Sequence, residues 1–388
     1  MTATAVQPRV FIGAGEVSGD IVAAKLIGEL RAANPSTIVD GIGGTRMAEA
    51  GATLVASANH IGAIGVSEGL AVAPSALRVF HAVKRHVRAH RPHVAVLIGN
   101  DVFSVVLGRS LRAMGITTIA LFPPQIWIWQ AVSRITARSF DLVLASFPDE
   151  ARCYRDAGVE TEFVGHYLAD VLAPAGENDR SAARRALGLS PSDPVVALLP
   201  GSRPPEITRL LPIMLDAADL IRATLPAAQL VAALTTAGAA SREQTLCTPN
   251  GHRVLVANDS HTVMQSADVL VCCSGTATLE AALLGVPMVV AYKMSRTTHL
   301  IVRTCIGMGL IASDTVALPN LVLGRSAVPE FVQRDASAAD IANAALALVP
   351  DAAPRREMRL ALEEVRAHVA RAGTLARVAH VVLERARR

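Results

Sequence analysis

Apolar runs of strand length alternate with helix-like runs along nearly the whole chain, and that alternation restricts it to parallel βαβ units. In the first half the strand-like runs are 9–13, 37–41, 94–98, 117–122, 142–145 and 162–164. In the second they are 195–199, 229–234, 253–256, 269–273 and 288–291. Residues 172–194, between the two sets, are rich in Pro, Gly, Asp, Asn and Ser with one short helical piece, which reads as a linker. A length of 388 residues agrees with two domains. The expected layout is a doubly wound, Rossmann-like domain over 1–171 and a second over 172–350, facing a central cleft. A helical, Arg-rich tail over 351–388 is expected to pack back on the first domain or on a partner subunit. This is the GT-B architecture, which several unrelated activities share.

Hydrophobic residues make up 51% of the chain and charged ones 18%, which supplies a sizeable core and excludes global disorder. Aromatics are only 3%, so that core is built from Ala, Val and Leu. From Asp351 onward there are nine Arg against five acids, which accounts for the whole net charge of +4. The balanced remainder argues against a nucleic-acid face. The first eight residues hold no apolar signal core, and apolar runs meet Gly, Pro or charge before a bilayer-spanning length. A cytoplasmic protein with reduced cysteines is expected, and Cys153, Cys247, Cys272, Cys273 and Cys305 show no metal-ligand spacing.

The chemistry-bearing motifs stand at strand ends. The run 269–273 stops at Ser274-Gly275-Thr276 and a helical pattern follows at once, which points backbone N–H groups and a positive dipole end at a diphosphate. Glu280, about one turn later, is placed to take the hydroxyls of a ribose. The same letters also describe an ordinary βα turn with a capping hydroxyl and an exposed Glu. Pro200-Gly201-Ser202-Arg203 after the run 195–199 adds a guanidinium suited to a diphosphate, and the pair points to nucleotide binding in the second domain. Asn320 and Gln333 bring amides to the segment before the last helices.

In the first half, the turn 13–20 contains Glu16, Ser18, Gly19 and Asp20, with a helix expected from about Ile21. Asp20 stands where a dinucleotide fingerprint has its last Gly, so this turn suits a neutral, hydroxyl-rich group, or Asp20 caps the helix. Ser18 and Gly19 are candidate acceptor contacts. Asp101, after the run 94–98, is a candidate base, because ligands sit at strand C-terminal ends in open α/β sheets. Glu16, Asp20, Asp101 and His166 form the set of candidate acid/base residues, His166 being equally open to a structural role. Trp127 and Trp129 share one loop and read as a wall against sugar or acyl chain, or as packing. Residues 61–91 combine an apolar loop with a basic amphipathic helix expected over 75–90, which fits either an anionic membrane surface or a solvated face.

Taken together, GEVSGD (15–20), IGAIGVSEGL (61–70), IWIW (126–129), FVGHYLAD (163–170), LLPGSR (198–203), SGTATLE (274–280), GVPMVVAYKM (285–294) and LPNLVLGR (318–325) resemble the lipid-A-disaccharide synthase family. The resemblance implies an inverting glycosyltransferase of GT-B fold that joins two acylated glucosamine units. It implies a UDP-sugar donor on the second domain, with Arg203 and Ser274, Gly275 and Thr276 at the diphosphate and Glu280 at the ribose. Asn320 matches a family position important for donor binding or catalysis, and Gln333 lies in the next family motif. It also implies a lipid acceptor on the first domain, peripheral membrane association at the inner face of the plasma membrane, a homodimer, and no metal or other cofactor. Two departures lie on the acceptor side. The family's I-D-x-P-D-F-N reads Ile98-Gly99-Asn100-Asp101-Val102-Phe103-Ser104, which puts Gly99 where the family has its base. The stretch 123–130 also lacks the family's two Ser and one Arg. These departures leave open Asp101 as the base in place of Gly99, a soluble acceptor that needs little base assistance, or a binding protein without turnover. A UDP-N-acetylglucosamine 2-epimerase, which shares the two-domain cleft and the UDP grip, is the second class of activity.

Overall fold

A computed structural model of the chain describes residues 7–57, 66–99, 102–123, 133–234, 245–308 and 315–387. Asp101, Trp127, Trp129 and the loop 58–65 lie outside the described residues. The chain forms two α/β units, each built on a seven-stranded sheet. The first sheet contains β1 (Arg9–Ala14), β2 (Ile38–Gly43), β3 (Thr53–Ser57), β4 (Val94–Ile98), β5 (Thr117–Leu121), β6 (Leu142–Ala145) and β7 (Glu160–Phe163). They are parallel throughout, in the order β3-β2-β1-β4-β5-β6-β7. The chain winds outward from β1 to β3 and then resumes at β4 on the other side. The gap between the C-terminal ends of β1 and β4 is therefore the switch point of this unit.

The second sheet contains β8 (Val195–Leu199), β9 (Gln229–Ala233), β10 (Thr245–Cys247), β11 (Arg253–Ala257), β12 (Val269–Cys273), β13 (Met288–Tyr292) and β14 (Glu330–Val332). Their order is β10-β11-β9-β8-β12-β13-β14, with only the β10–β11 pair antiparallel. Here the winding reverses between β8 and β12. Both are fully buried, which is why they read as unbroken apolar runs. Each Leu or Val removed from water on such a strand contributes about 2 kcal/mol.

The boundary expected at 171 agrees with the observed one to within one residue, whereas the one expected at 350 falls after His368. The second unit runs from Val171, yet residues 300–308 group with the first unit. The tail expected as one body is divided. Its helix Ala353–Val369 belongs almost wholly to the second unit, where Arg366 donates to the carbonyls of Leu172 at 2.7 Å and Leu283 at 3.0 Å. The last helix, Thr374–Arg387, belongs to the first unit and packs on the helix Val17–Ala33. Asp170 caps it from a distance, accepting from the N–H groups of Gly373 at 3.1 Å and Thr374 at 2.7 Å. A further difference is the helix Val66–His90, which starts at Val66 and carries Pro74 inside it. A proline there removes one intrahelical bond without ending the helix.

The first unit buries several ionisable side chains, Glu150 and His166 among them. Glu150, in the first turn of the helix Pro148–Asp156 after β6, accepts from the N–H of Ser146 at 2.8 Å. Burial pushes its pKa up to about 8, against the pull of its backbone donors. His166 is packed among the rings of Phe122, Phe147 and Tyr167, and burial pushes its pKa down to about 3.

Candidate functional site

At the switch point of the second unit, Leu199 on β8 is the register partner of Cys272 on β12. The turns that follow, Pro200–Arg203 and Ser274–Thr276, therefore leave the sheet side by side. After β12 the helix Thr276–Leu284 starts from Gly275, whose φ of 145° is one that L side chains rarely adopt. No side chain caps this helix and its first turn holds no acid, while Gly275 and Thr276 are exposed. Its first N–H groups and positive dipole end thus face outward, an arrangement suited to an anion.

After β8, Arg203 is the N-cap residue of the long helix Pro204–Thr224. Glu206, one turn in, holds the turn: its Oε2 accepts from the N–H groups of Ser202 and Arg203, both at 3.2 Å, and its Oε1 faces the Arg203 guanidinium at 3.3 Å. The guanidinium is 44% exposed, so the pair is a solvent-screened one that an incoming diphosphate can displace. Tyr292 at the end of β13 and Cys273 lie close enough for burial, with the nearby Glu206, to raise both of their pKa values. Sequence reasoning missed Glu206 and Tyr292. The spacing of Glu206 three residues after an N-cap is the signal that announces such a capping carboxylate.

The Ser274–Thr276 turn is braced from behind by a chain of hydrogen bonds. Ser274 Oγ donates to the carbonyl of Val316 at 2.6 Å, and the N–H of Val316 donates to Glu330 Oε2 at 2.8 Å. Glu330 Oε1 in turn accepts from Asn320 Nδ2. Asn320 also donates to the carbonyl of Val328 at 2.9 Å, and its Oδ1 accepts from the N–H groups of Ala327 at 2.7 Å and Val328 at 2.8 Å. It is 4% exposed. Its amide is thus fully occupied by protein, and direct contact with a donor sugar, as expected from its motif, is replaced here by bracing of the turn. Thr278 adds a second brace, donating to the Gly275 carbonyl at 2.8 Å and accepting from the Leu318 N–H at 3.3 Å. Gln333, just after β14, has a left-handed φ of 57° and directs Nε2 to the Met294 carbonyl at 3.5 Å. Glu280, on the helix that starts at Thr276, pairs with His261 Nε2 at 3.5 Å.

In the first unit, Glu16 and Gly99 follow the register partners Ala14 and Ile98, so they stand together at its switch point. Glu16 is the N-cap residue of the helix Val17–Ala33, Ser18 is exposed in its first turn, and Gly19 packs behind it close to Ala14 and the Ile98 carbonyl. Asp20 does not face the switch point as an acid/base group should. It is 7% exposed, and its carboxylate accepts from the N–H groups of Gly44 at 2.7 Å, Arg46 at 3.1 Å and Met47 at 3.2 Å. It thereby caps the helix Thr45–Glu49 rather than its own. His166 is likewise structural. Its Nδ1 accepts from the Leu168 N–H at 3.3 Å, and a ring with so depressed a pKa is a poor base near neutrality. Among the described residues no group of three or more His, Cys, Asp or Glu side chains is placed to hold a metal, and no helix is long and apolar enough to cross a membrane.

The two sheets agree with comparisons across nearly the whole chain. Among solved structures it is similar to the UDP-N-acetylglucosamine 2-epimerase of Neisseria meningitidis bound to UDP-N-acetylglucosamine, with a TM-score of 0.67, 12% identity and coverage of 97% of this chain and 100% of that one. It is also similar to the glycotransferase of kitacinnamycin, with a TM-score of 0.58, 18% identity and coverage of 98% and 99%. Identities so low show the fold alone, two Rossmann-like domains of GT-B type. Sequence relatives are more specific. A lipid-A-disaccharide synthase of Geobacter metallireducens is 35% identical over 384 residues, covering 98% of both chains. The profile of the lipid-A-disaccharide synthetase family matches residues 10–377, and the chain belongs to that family.

Proposed function

We propose that this chain is the glycosyltransferase that joins UDP-2,3-diacylglucosamine to 2,3-diacylglucosamine 1-phosphate, giving the β-1,6-linked disaccharide phosphate and UDP. Membership of the family supports the reaction, and one structural observation carries the donor side: two anion-directed turns emerging side by side at the switch point of the second unit. The diphosphate lies on the N–H groups at Gly275 and Thr276, with Arg203 leaving Glu206 to grip it. Glu280 takes the ribose hydroxyls. Ser274, Asn320 and Glu330 position the turn, and Gln333 lines the far side near β14. The acceptor hydroxyl attacks the anomeric carbon as the bond to the diphosphate breaks. The charge that develops on departing UDP falls on a guanidinium and fixed backbone dipoles, so the leaving group is stabilised without a cofactor.

The acceptor occupies the first unit around Glu16, Ser18 and Gly19, with Trp127 and Trp129 against its apolar parts. Asp101 takes the hydroxyl proton in place of the carboxylate that Gly99 lacks. The 61–91 region rests on the inner face of the plasma membrane, and two copies of the chain associate. The test is UDP release by the purified protein in detergent, given the diacylated donor with and without the diacylated acceptor. Acceptor-dependent release with a disaccharide phosphate seen by mass spectrometry is expected. Loss of release in Asp101→Asn with retention in Glu16→Gln assigns the base to Asp101; the reverse assigns it to Glu16. Donor binding with no acceptor-dependent release overturns the reading.

A further inference from the structure

Glu280, the carboxylate assigned above to the ribose, is not alone. His261 sits in the first turn of the helix Ser260–Ser266, which crosses from β11 back towards β12. Asp259 fixes the start of that helix, accepting from the His261 N–H at 3.0 Å and from Thr262 Oγ1 at 2.6 Å. The imidazole consequently has a defined origin, and its Nε2 comes to 3.5 Å from Glu280 Oε2. Glu280 is 19% and His261 44% exposed, so the pair straddles the surface at the point where a ligand would arrive.

A ribose offers two hydroxyl donors, and a carboxylate accepts both only if its plane is turned towards them. A flexible Glu must be ordered to do so, at a cost in side-chain entropy. A cation already holding Oε2 removes part of that cost before the ligand binds. We propose that His261 is a positioning residue for the nucleotide's ribose, its imidazolium setting the Glu280 carboxylate, so that donor affinity declines as His261 loses its proton. This rests on the assignment of Glu280 to the ribose.

The charges around His261 are few. The hydrogen bond with Glu280 raises its pKa above the ordinary histidine value, burial opposes, and Asp259 adds to the rise. β8 and β9, packed beneath the helix, carry no ionisable side chain. On its other side lies the helix Glu177–Ala186, whose Arg180 and Arg184 are held by Asp268 and whose Glu177, Asp179 and Arg185 are exposed. The imidazolium is therefore present below the ordinary histidine range and is lost as the pH rises beyond it.

The experiment is the Kd for UDP, measured calorimetrically on the full chain from about pH 6 to about pH 9 for the native protein, His261→Lys, His261→Ala and Glu280→Ala. The ligand's own phosphate titration is common to all four and cancels in ratios between them. The His261→Ala protein should bind roughly three-fold more weakly than the native one at the acid end, with the difference vanishing at the alkaline end, as a partly exposed ion pair implies. His261→Lys, which keeps a cation throughout, should retain tight binding at the alkaline end. If His261→Ala tracks the native protein at every pH while Glu280→Ala weakens binding, this inference falls and the donor site stands. If Glu280→Ala leaves UDP affinity unchanged, the ribose assignment falls, and this inference with it.

Discussion

Gly275 and Gly99 mark the two switch points, and at both the backbone takes a positive φ that L side chains rarely adopt. Gly275 has open space where a Cβ would stand, so its φ of 145°, not crowding, is what excludes other residues. Gly275→Ala is expected to lower stability by about 1–2 kcal/mol and to weaken UDP binding, because relaxing the strain turns the first helical N–H groups away. A thermal melt and a UDP titration of the same preparation check both. Gly99 has a φ of 116° and equally open surroundings. Replacing it with the family's Asp adds a carboxylate on a strained backbone. Gly99→Asp and Gly99→Ala should therefore lose similar stability, about 1–2 kcal/mol. A gain of transferase activity in the Asp variant alone would show that the backbone can still seat a base there. Asp20, Asn320 and His166 show why side-chain roles were less legible in the sequence. Asp20 finds its partners at Gly44, Arg46 and Met47, and Asn320 at Ala327, Val328 and Glu330. Only the fold brings those donors and acceptors together.

Among elements, the interior strands are plain in the sequence, and of the four edge strands only β7 is. β3, β10 and β14 were not anticipated, and each lies at the edge of its sheet. β3 is half-exposed and β14 only three residues long, so neither carries the continuous apolar run that marks a doubly covered parallel strand. β14 matters to the site all the same, because Glu330 begins it and links Asn320 to the Val316 N–H. Glu330→Gln keeps the shape but leaves one of these contacts with mismatched donors, and is expected to raise the donor KM several-fold with a stability loss of about 1–2 kcal/mol. Asn320→Ala strands the Ala327 and Val328 N–H groups, and a larger loss of about 2–4 kcal/mol is expected in chemical denaturation. The last helix offers a parallel case. Asp170→Ala removes the carboxylate that caps it and should cost about 1 kcal/mol. Faster proteolysis of the segment after Gly373 would report that loss.

For the molecule as a whole, Glu150 and His166 set opposite demands on pH. Unfolding returns His166 from about 3 to its ordinary 6.5 and Glu150 from about 8 to its ordinary 4.5. The depressed His166 contributes stability above pH 6.5 that is lost as the pH falls towards 3, because the unfolded chain then binds the extra proton. The raised Glu150 contributes stability below pH 4.5 that is lost as the pH rises towards 8, because the native chain then holds the extra proton. Glu150→Gln should accordingly flatten the decline between pH 6.5 and 8 in denaturant titrations. Between 4.5 and 6.5 the two trends oppose each other with equal slope. In that interval unfolding moves a proton from one site to the other within the chain: the native fold keeps it on a carboxyl, the unfolded one on an imidazole. For this pair the exchange with solvent is nil. Its share of the calorimetric unfolding enthalpy should then be the same in buffers of small and of large ionisation enthalpy, and should diverge by about one proton's worth once the pH passes 6.5.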